Sequence, residues 1–469
     1  MISASRLLPI PLLRNTAIAV VDQGLISASG FLISVLLVKT VSKPEYGYYA
    51  IALAVSLLLG SIQNALVGAP MSVLLAAKDG EDRQRYLSSL AWGQLLVILP
   101  ASLAAAVALR LAGSWILDPA SQSVAAALAA AAIGLLWREF LRSFHFARET
   151  PGDVLRMDAL YVAILAVALC ALAYLFRITV ASIWLVVGVA SLVSALPFGR
   201  GFARRPDAAW TAFRENWTFG RWAILGVLVT HIQTYSHLYL LGALAGSVAV
   251  ADASAARLLM MPMALAQIGW GKVAIPHGSA LRQRGQLARF FREQTLACLA
   301  FLAAITVYVV VLFQFSGAMQ GLLLSDKYAS AFRYVTLWGA IFAVGFATVS
   351  ASSGLQVAMK FSFITKASLA VMPVTVGASY VLIRGSGIGG ALAALLLGES
   401  LLAVILWIGF RRAVVSLAER RPAEGEPAPG SQGASSESHH QPARGRRRAA
   451  AGRTISPGFE NPGSKRVIP

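Results

Sequence analysis

Long apolar runs fill the first 410 positions, separated by short polar or basic stretches. Runs of about 20 apolar residues are long enough for a helix to cross a hydrocarbon core of ~30 Å. Inside hydrocarbon every backbone N–H and C=O needs a partner within the protein, so such runs predict helices. Twelve spans can be drawn, approximately over 17–38, 48–76, 88–112, 121–141, 155–176, 179–199, 222–243, 249–272, 294–315, 332–356, 367–383 and 387–410. Several contain Gly, Pro or polar residues, which membrane helices tolerate when neighbours satisfy the freed backbone groups. The pattern predicts an all-α integral membrane protein with about 12 transmembrane helices.

Composition agrees and adds an orientation. Of 469 residues, 57% are hydrophobic and 13% charged, against roughly 25% charged in soluble domains. The net charge of +19 raises the question of nucleic acid, but the charge is sorted by membrane side rather than gathered on one soluble face. With the N-terminus in the cytoplasm, and leaving aside the C-terminal tail and Arg257 within a span, 21 Lys and Arg fall in inside segments and 7 in outside ones. That bias predicts that both termini are cytoplasmic. No nucleic-acid partner is expected. The N-terminus lacks a short apolar region with a small-residue cleavage site, so no cleaved signal peptide is expected.

The longest inside connection carries Arg204, Arg205, Trp210, Phe213 and Trp217 and follows the sixth span. It divides the chain into an N-terminal six-helix lobe (1–200), a cytoplasmic linker (201–221) and a C-terminal six-helix lobe (222–412). Two halves that both start in the cytoplasm would be parallel repeats about an axis along the membrane normal. Residues 413–469 are rich in Pro, Gly, Ser and Arg and predict a disordered basic cytoplasmic tail. Its Arg446, Arg447 and Arg448 would either touch anionic lipid, at about 1 kcal/mol each, or simply be solvated.

Chemistry motifs are sparse. The outside loops, none longer than about 17 residues, cannot house a catalytic domain. No HExxH, CxxC or GxSxG occurs. Gly269-Trp270-Gly271-Lys272-Val273 lacks the first Gly and the Ser/Thr of a phosphate loop, because Ala266 and Val273 stand there. Cys170 and Cys298 lie in separate apolar runs and suggest neither a disulfide nor a metal site. No catalytic residue, metal or cofactor is predicted, and the chain is not expected to be an enzyme.

A charge inside a span is costly unless paired or wet, so each one marks a candidate site. Asp22 in the first span shares a helix face with Asn15 and Ser29, at seven-residue spacing. It would bind a coupling cation or proton, salt-bridge a basic cavity residue, or anchor helices by a hydrogen bond. Arg257 in the eighth span suits bidentate phosphate binding; the alternatives are snorkelling or pairing with Asp252. Glu399, mid-way along the last span, is a proton relay or a protonated packing residue. His231 lies near His237 on a polar stripe with Thr230, Thr234 and Tyr235 and would titrate near neutral pH, or sit hydrogen-bonded in the core. Gln63 and Asn64 form a polar shelf in the second span, ahead of a kink at Pro70 that either gates or merely packs. Arg257, Gln63 and Asn64 are the substrate-binding candidates; Asp22, Glu399 and His231 are the ion- or proton-coupling candidates.

The stretch from Asp22 to Leu74 resembles the opening of bacterial polysaccharide-transport flippases. These are O-antigen flippase relatives within the multidrug, oligosaccharidyl-lipid and polysaccharide exporter superfamily. The resemblance rests on a polar first helix followed by Pro44-Glu45-Tyr46-Gly47. Further pieces follow in order: Trp137-Arg138-Glu139-Phe140 with Arg142, ADASAARLLMMP around Arg257, Ser325-Asp326-Lys327-Tyr328 with Ala331, and Gly389-Gly390-Ala391 with Glu399. It covers roughly residues 14–412. It implies two six-helix lobes around a central cavity. It also implies flipping of an undecaprenyl-pyrophosphate-linked oligosaccharide across the bacterial inner membrane by gradient-driven alternating access, for surface polysaccharide synthesis. Partners would then be the lipid-linked oligosaccharide, membrane lipids, a polysaccharide polymerase and glycosyltransferases. The rival expectations are a cation-coupled multidrug exporter of the same fold and, behind it, a polytopic glycan-assembly enzyme or scaffold.

Overall fold

A computed structural model describes residues 10–75, 78–112, 118–199 and 209–419. The described residues form helices and no strand. In chain order the first half holds α1 (Ile10–Thr40), α2 (Lys43–Gln63), a π-helical turn (Asn64–Gly68) leading into α3 (Ala69–Leu74), α4 (Gly80–Ala112), α5 (Pro119–Ala147), α6 (Pro151–Leu175) and α7 (Val180–Ala195). The second half holds α8 (Ala209–Leu258), α9 (Met261–Gln283), α10 (Leu287–Gln314), α11 (Ser316–Leu323), a 3-10 segment (Asp326–Tyr334), α12 (Val335–Val357) and α13 (Phe361–Glu419). Ten of these helical segments are long and apolar enough to cross a membrane.

Two of the ten are hairpins. In α8, Gly246 has φ 83° and ψ 170°, a conformation essentially confined to glycine. The chain reverses there, because Gly242 and Val250 face each other closely, although eight residues of straight helix would separate them by about 12 Å. In α13, Gly387 has φ 54° and ψ −124°, and Gly390 lies against Leu382 in the same way. The second arm of α8 then continues into α9 through a bend at Leu259 and Met260, just before Pro262. The Leu259 carbonyl at this bend accepts a hydrogen bond from Tyr308. Resolved this way, each half contributes six passes, matching the twelve spans expected.

Each half packs mainly on itself. In the first, α5 lies against α4 and α7, and α6 against α7 and α1; in the second, α12 lies against α9, α10 and α13. The long joint is α2 along α8. The expected linker 201–221 is only partly a linker: from Ala209 the chain is already helical. Asn216 explains this. It is buried and accepts from the Tyr86 hydroxyl, while its amide donates to the Leu66 carbonyl. Leu66 lies four residues before Pro70, which has no N–H to offer. The tail also starts later than expected, because α13 runs on to Glu419 with Ala413 buried; the rest of the tail lies outside the described residues. Cys170 faces outward rather than being buried, which suits an apolar surface in contact with lipid.

Candidate functional site

Two polar assemblies interrupt the apolar interior. The first lies in the N-terminal half. Arg138 and Arg142 are four residues apart on α5 and therefore share a face. Arg142 donates to Asp22 Oδ2 of α1 at 2.9 Å, and its Nε lies 3.0 Å from Asp158 Oδ2 of α6. Arg138 Nη1 is 3.6 Å from the other Asp158 oxygen. Its guanidinium also sits 3.7 Å over the Tyr161 ring. Asp22 and Asp158 are 1% and 0% exposed. Two buried carboxylates thus meet two buried guanidiniums. Next to Asp22, Gln23 accepts from Lys272 of α9 at 3.1 Å, a contact that crosses from one half to the other.

A second crossing contact lies toward the other end of the same helices. Lys43, at the start of α2, pairs with Asp252 at 2.7 Å. Lys39 donates to the Gly321 carbonyl, Lys327 donates to the Val41 carbonyl, and Tyr46 packs edge-on to Tyr328. Asp252 and Lys272 are twenty residues apart, about 30 Å at ~1.5 Å per residue. The pairing of Asp252 also settles one expectation. Arg257 is not its partner. Five residues along a helix turn the side chain about 140° away, and Lys43 occupies Asp252 instead.

The second assembly is a cavity of about 300 Å³ formed by α8, α9, α12 and α13. Arg257 and Glu399 both line it, with Gln233, Gln267, Thr230 and Ser368. The Arg257 guanidinium lies 5.9 Å from the Tyr235 ring and 5.7 Å from the Trp338 ring. Among the described residues it has no hydrogen bond or ion pair. Trp338 is fixed by donating to the Ala253 carbonyl. A neighbouring chamber of about 730 Å³ includes Leu57 and Ser61 of α2 and the α13 start, and shares Thr230, Thr234, Tyr235 and Ser368 with the first.

The remaining candidates fall elsewhere. His231 lines the larger chamber, bonds to the Tyr239 hydroxyl at 2.8 Å and stacks on Tyr235. Gln63 is buried and donates to the Leu136 carbonyl at 2.7 Å, tying α2 to α5. Asn64 is exposed at the start of the π-helical turn. Ser29, on the Asp22 face, is buried and bonds to its own helix at Ile26; the Asn15 side chain lies outside the described residues. Sequence reasoning missed Asp158, Arg138, Arg142 and Gln233. Asp158 was detectable, since it lies inside the expected span 155–176.

No family model and no curated relative matches the chain. Solved structures do. A multidrug resistance MATE family transporter of the MOP superfamily, inward-facing, superposes with a TM-score of 0.66 at 14% identity, covering 86% of this chain and 96% of that one. The lipid II flippase MurJ in an inward closed conformation gives 0.68 at 12% identity, covering 85% and 89%. The fold is that of the MOP transporters. A MOP superfamily transporter from Pyrococcus furiosus, described as having a binding pocket of reversed polarity, gives 0.61 at 12% identity over 87% and 96%. These neighbours are transporters or flippases rather than enzymes. With its apolar helices and the MOP fold, the chain is a multi-pass membrane protein.

Proposed function

We propose that this MOP-fold protein flips an undecaprenyl-pyrophosphate-linked oligosaccharide across the bacterial inner membrane, by alternating access, for surface polysaccharide or exopolysaccharide synthesis. The observation that carries the reading is Arg257, a cation without an anionic partner among the described residues, lining a cavity that adjoins a larger chamber. Pyrophosphate and glycan cannot cross hydrocarbon unaided, and a guanidinium in a sheltered cavity offers the charge and the forked donors that a phosphate needs. Asp22 and Glu399 are the candidate coupling groups. His231 is a third, and Gln63 and Asn64 would contribute to the substrate path. Lipid-linked oligosaccharide, membrane lipid and glycan-assembly enzymes are the partners this function requires, and both termini would be cytoplasmic.

The multidrug-exporter reading draws on the MATE neighbours, but the charge distribution weighs against a cationic cargo. Of the buried acids, Asp22 and Asp158 are already neutralised by Arg142 and Arg138. A strain lacking the gene provides the test. It should lose surface polysaccharide and accumulate a lipid-linked intermediate. Both should recover with the wild-type chain, and recovery should fall about tenfold or more with Arg257→Ala at equal membrane abundance. Intact surface polysaccharide in the deletion strain would remove the proposal.

A further inference from the structure

The cavity around Arg257 contains a second group whose chemistry is unspent. Gln233 is 3% exposed, lines the cavity, and has neither its amide nitrogen nor its amide oxygen paired among the described residues. Buried amides are normally paired at both ends, so an occupant of this cavity should both donate and accept hydrogen bonds. A hydroxyl does both through one atom. Gln267 brings a second amide, Thr230, Thr234 and Ser368 bring hydroxyls and Glu399 a carboxyl, beside apolar wall residues such as Phe342 and Leu395. Tyr235 and Trp338 add flat apolar faces beside Arg257. Such a lining matches a molecule with hydroxyls on its edge and C–H groups on its faces.

Size limits how much of that molecule enters. About 300 Å³ is about twice a cavity of ~150 Å³ that holds one benzene ring, the scale of one sugar ring rather than of a chain. We propose that this cavity receives a single sugar ring, the one attached to phosphate, with Gln233 and Gln267 reading its hydroxyls while Arg257 holds the phosphate. The rest of the glycan would extend into the adjoining chamber through the shared wall of Thr230, Thr234, Tyr235 and Ser368. The phosphate contact rests on the function proposed above; the sugar contacts stand on Gln233 and the cavity.

Purified full-length protein in detergent tests this by titration calorimetry with inorganic phosphate and with glucose, galactose and N-acetylglucosamine 1-phosphates. At least one sugar phosphate should bind about tenfold or more tighter than phosphate, since a site built around hydroxyls penalises a ligand lacking them. Gln233→Leu and Gln267→Leu should erase that advantage and leave phosphate binding intact. Equal affinities for all probes, absence of binding to folded wild-type protein, or a full sugar preference in either folded variant would each overturn the proposal. Thermal melting reports folding, and Gln233→Met provides a second replacement of similar length if Gln233→Leu does not fold. Arg257→Ala separates the two ideas. If it leaves phosphate affinity unchanged while the sugar preference persists, the phosphate role fails and the sugar site stands.

Discussion

Arg142 is the residue on which the N-terminal charge cluster turns, because it touches Asp22, Asp158 and Glu139. Removing one partner of a buried ion pair costs about 3–5 kcal/mol, since the survivor keeps its charge without compensation. Arg142→Ala is therefore expected to lower the melting temperature and the membrane yield sharply. Asp22→Asn, which keeps a hydrogen-bonding group of similar size, should cost less, and comparing the two melting curves checks the order. Asn216→Ala is a milder case. It leaves the Leu66 carbonyl and the Tyr86 hydroxyl unpaired, at about 1–3 kcal/mol for a buried orphaned group. Some of these residues are legible from sequence alone. Asp22, Arg257 and Glu399 stand out as charges within apolar runs, and all three are in polar assemblies. What the sequence withholds is partnership. Arg142 falls one residue past the expected fourth span, so it reads as a loop charge that orients the bundle, although it is buried against two carboxylates contributed by other helices.

Among the elements, the twelve-pass layout is readable because the breaks are glycines. The gap expected between 243 and 249 contains Gly246, and Gly387 is the first residue after the gap expected beyond 383; these are the two turning points. Gly246→Ala should cost about 1–3 kcal/mol, because an L residue is strained at that φ and ψ; a denaturation midpoint in detergent measures it. The start of α5 is set differently. Asp118 accepts from the Ala120 and Ser121 amides and from the Tyr48 hydroxyl. Slight burial pushes its carboxyl upward, but the hydrogen bonds outweigh that and hold it below its ordinary value of 3.8. A group depressed in the folded state contributes stability above its unfolded pKa and loses it as pH falls through the folded one. Asp118→Ala should thus cost about 1 kcal/mol at neutral pH, with the gap in melting temperature from wild type narrowing below pH 3.8. Asn216 marks the limit of element reading. A basic, aromatic stretch between two apolar halves looks like a linker until the carbonyl it serves, opposite a proline in another helix, is known.

At the scale of the whole molecule, the halves meet along α2 and α8 and through polar contacts toward the two ends. One end holds a salt bridge, Lys43 to Asp252, with further lysine contacts; the other holds the Lys272 to Gln23 bond and a salt bridge from Lys78 to Glu215. If alternating access separates the halves at each end in turn, each of these contacts weights the equilibrium. A half-buried pair contributes about 1 kcal/mol at most, enough to change a two-state ratio about fivefold. Lys43→Asp alone should slow transport by up to that factor. The double exchange Lys43→Asp with Asp252→Lys should restore it, read as surface polysaccharide at matched abundance. An unrestored double exchange would show that the pair does more than hold the halves together.

The charge cluster behind Arg142 has a genetic corollary. Two acids and two bases buried together sum to zero, so no single member can be lost without leaving a charge stranded. These positions should change in concert. Suppressors selected after Arg142→Ala are expected at Asp22 and Asp158, converting a stranded carboxylate to a neutral side chain, rather than at distant stabilising sites.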